Sequence, residues 1–213
     1  MAKRPEGEDG GFLRELHHRV RNNFQIIASL MSLQRRLMPE DRRGELRFIE
    51  EHVQSIAVAY DVVDDSGGGV ILAELVADLV DTLRQIGGLA ADQVTLRLSA
   101  VDGAIILDQA IELGLYFAVV LPPYLDQAAS RAAPVRVSAV REGDILTLTI
   151  AGDWADKVEL DMLRSRLATA HIRQLRAEPV LDNRLAAHGI RVPLASVEGA
   201  AAPPPSKRIR GKT

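Results

Sequence analysis

Leu13-Arg14-Glu15-Leu16-His17-His18-Arg19-Val20-Arg21-Asn22-Asn23 opens the longest periodic segment of the chain, and its spacing decides how the first third folds. Leu13, Leu16, Val20, Phe24, Ile27, Leu30 and Met31 recur at three- and four-residue steps, which predicts one amphipathic helix from about Gly11 to Met38. At about 100° per residue, Leu16, Val20 and Ile27 fall near the centre of the apolar stripe. On the same wheel His18 lies roughly 160° to 200° away, and His17 about 90° away on the flank. Asn22 follows His18 by one turn, then come Gln25 and Ser29, with Arg14 and Arg21 flanking this polar, uncharged strip.

Working outward, Pro39-Glu40-Asp41 breaks the pattern, and a second helix is expected from about Arg42 to Val63. Its apolar positions include Leu46, Ile49, Val53, Ile56, Ala57 and Tyr60. Two helices joined by a short turn make an antiparallel hairpin. A hairpin cannot enclose its own apolar stripe, so two copies are expected to pair into a dimeric four-helix bundle. The Gly67-Gly68-Gly69 run reads as a domain boundary.

Beyond it the pattern is mixed. Residues 71–86, 108–121 and 158–176 read as helices. Val94–Ser99, Val135–Val140 and Ile145–Ile150 alternate like strands, and Arg191–Leu194 closes the sheet. The expected class is α+β, a helical hairpin followed by an α/β sandwich. The divisions fall at 1–10 (polar, Gly-rich, disordered), 11–66 (hairpin), 70–196 (sandwich) and 197–213, a flexible basic tail rich in Ala and Pro.

Composition narrows the class of function. A formal charge of −3 gives no global drive toward nucleic acid or a membrane surface. The absence of cysteine excludes disulfides and Cys-based zinc sites and fits a reducing compartment. No apolar run reaches membrane-spanning length, and the N-terminus lacks a signal-peptide core, so a cytoplasmic protein without a membrane segment is expected. Between Gly11 and Arg43, seven arginines stand against Glu15, Glu40 and Asp41, a local basic bias that favours an acidic partner surface.

An imidazole near its unperturbed pKa has a free ring nitrogen that can attack phosphorus. Helix geometry alone favours a plain surface role for both histidines; the surrounding string changes that balance. Glu15-Leu16-His17-His18-Arg19-Val20-Arg21-Asn22-Asn23-Phe24-Gln25-Ile26-Ile27 resembles the phosphoacceptor box of HWE-like sensor histidine kinases, which carry E-x-H-H-R-V-K/R-N-x-x-Q on the first helix of a dimerisation and phosphotransfer hairpin. The resemblance implies that His18, directly before R-V-R-N, is the phosphoacceptor. Asn22 matches a polar position lining the site, His17 packs or positions the reactive ring, and Arg19 and Arg21 are candidates to orient it or screen phosphate charge. Arg14, Gln25 and Ser29 are candidate docking positions for a receiver domain by helical spacing.

In that family the hairpin precedes an ATP-binding domain of the GHKL type. Leu107-Asp108-Gln109-Ala110-Ile111-Glu112-Leu113-Gly114-Leu115 resembles the approach to its N box. The residues that hold Mg²⁺ there fall on Ala118, Val119 and Pro123, none of which coordinates a hard cation. Pro122-Pro123 is expected to break the box helix. Leu146-Thr147-Leu148-Thr149-Ile150 resembles the strand before the adenine-recognising D-x-G-x-G loop, whose Asp falls on Gly152 and whose glycines fall on Trp154 and Asp156. No glycine lies between Asp153 and His188 to form a phosphate lid.

A phosphoacceptor hairpin joined to a degenerate GHKL domain resembles the dimeric histidine phosphotransferases (ChpT-like). That resemblance implies a phosphorelay role without ATP or autokinase activity. A homodimer would exchange phosphoryl groups with response-regulator receiver domains, fed by an upstream hybrid kinase or phosphorylated receiver. Mg²⁺ would come from the receiver, with no cofactor or metal held by this chain. An active histidine kinase with a divergent ATP site, and a non-enzymatic module that binds response regulators, are the alternatives. His52, His171 and His188 lack the R-V-R-N context and read as structural or surface residues.

Overall fold

The computed structural model describes residues 6–63, 69–156, 158–180 and 187–195, without the side chains of residues 6–10 and 12–14. The expected boundary run at Gly67–Gly69 falls largely outside the described residues, as does the expected tail at 197–213.

The first helix, α1 (Glu6–Leu37), begins ahead of Gly11, inside the segment expected to lack structure. At its other end Met38 N–H is shared between the Gln34 and Arg35 carbonyls, and Pro39 stops the helix because it has no N–H to continue the ladder. One 3₁₀ turn, Glu40–Arg42, reverses the chain into α2 (Arg43–Asp61). Arg43 Nε donates back to the Met38 carbonyl at 3.0 Å, occupying an acceptor that the helix end leaves open.

The second part contains β1 (Val70–Ile71), α3 (Leu72–Gly87), β2 (Val94–Ser99), β3 (Ala104–Ile105), α4 (Leu107–Arg131), β4 (Val135–Glu142), β5 (Ile145–Gly152), α5 (Met162–Gln174), β6 (Glu178–Val180) and β7 (Ala187–Pro193). Five strands form a mixed sheet in the order β2-β4-β5-β7-β6, in which only β2 and β4 run parallel. β1 and β3 make a separate two-residue antiparallel pair. Alternation in the strands follows the expected two-residue period: Val135, Val137 and Ala139, and Leu146, Leu148 and Ile150, are buried beneath the helices. Arg136, Ser138, Thr147 and Thr149 point the other way and are partly exposed.

One buried core runs through the molecule. Val58, Ala59 and Val62 of α2 join it together with Leu75 and Leu79 of α3, Phe117 and Leu121 of α4, and the inward side chains of the sheet. The hairpin is therefore packed against the sandwich through α2, while α1 lies on the far side of α2.

Residues 108–121 formed only part of a longer helix. α4 continues through Pro122 and Pro123 to Arg131, so the expected break at the proline pair does not occur. Each proline deletes the N–H that would bond four residues back, which orphans the carbonyls of Ala118 and Val119. Arg164 Nη1, reaching from α5, donates to both, at 3.1 and 3.0 Å. A tertiary contact thus supplies what the helix lost.

Candidate functional site

The geometry of α1 distributes its residues over three faces. Phe24 stacks on Tyr60 of α2 with ring centroids 5.8 Å apart, Ala28 is buried, and Arg35 pairs with the buried Glu50 at 2.6 Å. That face is the seam of the hairpin. Leu16, Ile26, Ile27, Leu30, Leu33 and Leu37 form a second face; these apolar side chains are uncovered, Leu30 to 60% and Leu37 to 73%. Between the two lies the strip that carries His18, which is exposed, with Asn22 exposed one turn on.

His17, by contrast, is half-buried and meets Tyr60 edge-on, with ring centroids 6.1 Å apart. Adjacent imidazoles therefore occupy different environments because they sit about 100° apart on the helix. Arg21 turns toward the C-terminus of α2, where it donates to the carbonyls of Tyr60 and Asp61 and pairs with the Asp61 carboxylate at 2.9 Å. It fastens the hairpin at the level of His18 and is not aimed at the imidazole. Arg19 is exposed and pairs with Glu15 across one turn at 2.8 Å. The Arg14 side chain lies outside the described residues.

Gln25 and Ser29 meet Asn22 along a shallow groove completed by Ile26, Leu30 and Leu33. Ser29 Oγ donates to the Gln25 carbonyl at 2.8 Å, and Gln25 Nε2 donates to Asp61 at 3.3 Å. The structure thus brings the polar strip next to the uncovered apolar face, while His18 stands beyond the groove's end.

The positions that the sequence resemblance set against nucleotide-binding residues carry apolar or aromatic side chains packed into the fold. Ala118 and Val119 are fully buried, and Pro122 is buried beside them. Trp154 lies over Gly152 so closely that a Cβ there would sit 2.1 Å from its ring. Arg131 covers the same indole at 5.5 Å from its centroid, and Tyr124 lies 6.3 Å away on the core side.

One buried ion-pair network escaped the sequence reading. Glu51 is 1% exposed, next to the equally buried Glu50. It pairs with Arg47 at 2.8 Å and Arg164 at 3.3 Å, and Arg47 also reaches Asp126 of α4 at 2.7 Å. Burial pushes the Glu51 carboxyl above the ordinary carboxylate range, against the opposing pull of Arg47 and Arg164. The only advance signal was the Arg47–Glu51 spacing of four; nothing in the sequence pointed to Arg164.

His52, half-buried beside this network, bonds through Nδ1 to the Phe48 carbonyl at 2.7 Å. Burial holds its pKa below the ordinary value against the upward pull of the Phe48 hydrogen bond, with smaller downward contributions from Arg164 and His171. His171 pairs with Glu112 at 2.9 Å, and His188 meets the Tyr124 hydroxyl at 2.7 Å. Among the described residues no group of three or more His, Cys, Asp or Glu could hold a metal ion, and no helix is long and apolar enough to cross a membrane.

Comparison with known proteins supplies the relationship. Residues 15–86 match the family model described as histidine kinase. A sensor histidine kinase of Mycolicibacterium smegmatis, PdtaS, is 33% identical over 97 residues, a match that covers 45% of this chain and 19% of that protein. The histidine kinase domain of the Erythrobacter litoralis blue-light activated histidine kinase superposes with a TM-score of 0.57 at 21% identity, covering 85% of this chain and 93% of that one. A longer structure of the same kinase gives 0.56 at 21% identity, covering 88% and 63%. The α+β architecture, a helical hairpin followed by a mixed sheet, is therefore a fold shared with that GHKL-like histidine kinase domain. The chain thus matches the histidine kinase family model through residues 15–86, shares its fold with a histidine kinase domain, and spans about a fifth of the length of the sensor histidine kinase it resembles.

Proposed function

We infer that the protein is a histidine phosphotransfer protein, relaying a phosphoryl group between receiver-domain aspartates through His18 without drawing on ATP. The observation that carries this reading is a contrast within one chain. His18 stands exposed on a rigid helix, while Ala118, Val119 and Pro122 are buried and Trp154 fills the space over Gly152. An accessible nucleophile is kept, and the face that would hold Mg²⁺ and adenine offers apolar side chains and a guanidinium.

In the forward step a ring nitrogen of His18 attacks the phosphorus of a receiver's aspartyl phosphate. The N–P bond forms as the acyl phosphate P–O bond breaks and the carboxylate leaves. The second step reverses this on another receiver's aspartate. Alignment and charge stabilisation dominate such a transfer, so little apparatus is needed beyond a correctly presented imidazole. The receiver supplies Mg²⁺. Arg19, exposed beside His18, can meet phosphate charge, and Asn22, Gln25 and Ser29 offer polar contacts along the same strip. A second copy covers the apolar face of α1, completing a four-helix bundle that leaves each His18 strip outward.

The test is incorporation of labelled phosphate. ATP alone should label nothing, a phosphorylated receiver should label the protein, and His18→Ala should abolish labelling without loss of helical signal. Labelling by ATP alone would instead favour a kinase with a divergent nucleotide site, the reading suggested by the sensor-kinase relatives. Unchanged relay through His18→Ala would leave a response-regulator-binding module.

A further inference from the structure

Arg164 is the third residue of α5, placed there by Asp161, whose side chain accepts from the Arg164 N–H at 2.8 Å and caps the helix. From that position its guanidinium makes three kinds of contact at once. Nη1 bridges the Ala118 and Val119 carbonyls, Nη2 reaches Glu51 at 3.3 Å, and the planar group lies 4.9 Å from the centroid of the Phe48 ring. The two carbonyls are those that Pro122 and Pro123 deprive of their helical donors. Glu51 and Phe48 belong to α2 of the hairpin.

We propose that Arg164 is a positioning residue that replaces the two helix hydrogen bonds lost at Pro122 and Pro123 and, through Glu51 and Phe48, locks α4 and α5 onto the hairpin. The proline pair and the arginine form one device. Prolines at 122 and 123 expose a pair of acceptors on the face of α4 toward α5, and an arginine presents several donors in a fixed planar fork that can serve both acceptors and a carboxylate together. A lysine has a single ammonium on a flexible stem and cannot span all three. Arg47, bonded to both Glu51 and Asp126, adds a second strut between α2 and α4. The consequence is mechanical: the hairpin that bears His18 and the sandwich behind it move as one body, so a docking partner meets a preformed surface. The lock stands independently of the phosphotransfer reading; its effect on transfer rests on that reading.

Two measurements on the full chain test it. Because the sequence has no cysteine, spin labels can be placed at Arg36→Cys and Glu142→Cys and diluted with unlabelled chain. The unsubstituted background should give one narrow distance, Arg164→Ala a broadened distribution, and Arg164→Lys an intermediate width. Hydrogen exchange then tests the pairing. Arg164→Ala should lower protection at the Tyr124 and Leu125 amides by about tenfold, the loss of one to two hydrogen bonds. In the Pro122→Ala/Pro123→Ala background, where backbone N–H groups return, the same substitution should change protection less than about threefold.

Equal losses in both backgrounds would overturn the replacement of helix hydrogen bonds by Arg164. An unchanged narrow distance in Arg164→Ala would overturn the lock. Should Arg164→Ala fail to fold, Glu51→Gln and Arg164→Lys carry the same comparison, and narrow distances in both would overturn it. With a phosphorylated receiver, Arg164→Ala should raise the half-saturating receiver concentration more than it lowers the saturated transfer rate. If the background protein accepts no phosphate, the phosphotransfer reading fails while the distance result still decides the lock.

Discussion

Gly114→Ala tests the packing of the hairpin on the sandwich most directly. A Cβ at this position would lie 2.9 Å from the Ser55 carbonyl oxygen of α2 and 3.4 Å from Leu79 Cδ2 of α3. Leu79 can yield by a small rotation. The carbonyl cannot, because it belongs to the backbone of a helix buried on this side. Two effects oppose one another. Replacing glycine by alanine in a helix interior favours the folded state by about 1 kcal/mol, whereas forcing a methyl group into a filled contact costs about 1–3 kcal/mol. The clash should win, leaving a net loss of about 1 kcal/mol and a fall in Tm of roughly 2–4 °C for a chain of this size. Urea unfolding followed by the single tryptophan, Trp154, and by helical circular dichroism measures it. Gly114→Val, which adds two more methyl groups and branches at Cβ, should be worse. Ser55→Ala should not relieve the loss, since the obstructing atom is main chain. A raised urea midpoint for Gly114→Ala would refute the close approach of α2 and α4.

Three further outcomes are expected. Leu30→Lys should weaken self-association at least about 30-fold by sedimentation equilibrium, because roughly 1 kcal/mol of apolar burial is lost from each of two copies; an unchanged association constant would remove the apolar face of α1 as the dimer contact. Arg21→Ala should destabilise the hairpin by about 1–2 kcal/mol in urea, since the carbonyls at the end of α2 lose charge-assisted donors, and an unaltered midpoint would show the contact to be dispensable. His52 has a depressed folded-state pKa, so as pH falls below its ordinary 6.5 the unfolded chain takes up a proton that the folded one resists. Stability of the parent chain should therefore fall below about pH 6.5 relative to His52→Gln, and parallel pH profiles for the two would exclude burial of a neutral His52.

The elements that carry their own periodicity were readable in advance. α1, α2 and α3 follow from apolar spacing near 3.6. β2, β4 and β5 follow from alternation, and the limits of β2 coincide with the expected Val94–Ser99. The two-residue strands β1 and β3, and the three residues of β6, are too short to impose a period. They exist because neighbouring backbone offers them partners. The site divides in the same way. The wheel places His18 opposite Leu16 and Val20 from rotation alone, and the structure gives it exposure. Arg21 is by sequence a candidate to orient the ring or screen phosphate charge, or a salt-bridge partner; its guanidinium pairs at the end of α2, because side-chain direction over several bonds depends on which acceptors lie within reach.

Sequence by itself determined the amphipathic hairpin, the exposed face of His18 and the mixed α/β part that follows. Local chemistry suffices for these, since periodicity and side-chain type are written residue by residue. Tertiary structure alone decided that α4 runs unbroken through Pro122 and Pro123, that Glu51 is buried, and that Gly114 marks a contact with Ser55. Each depends on a group remote in the chain. A proline pair breaks a helix in isolation because two carbonyls are left without donors, and here Arg164, more than forty residues away, provides them.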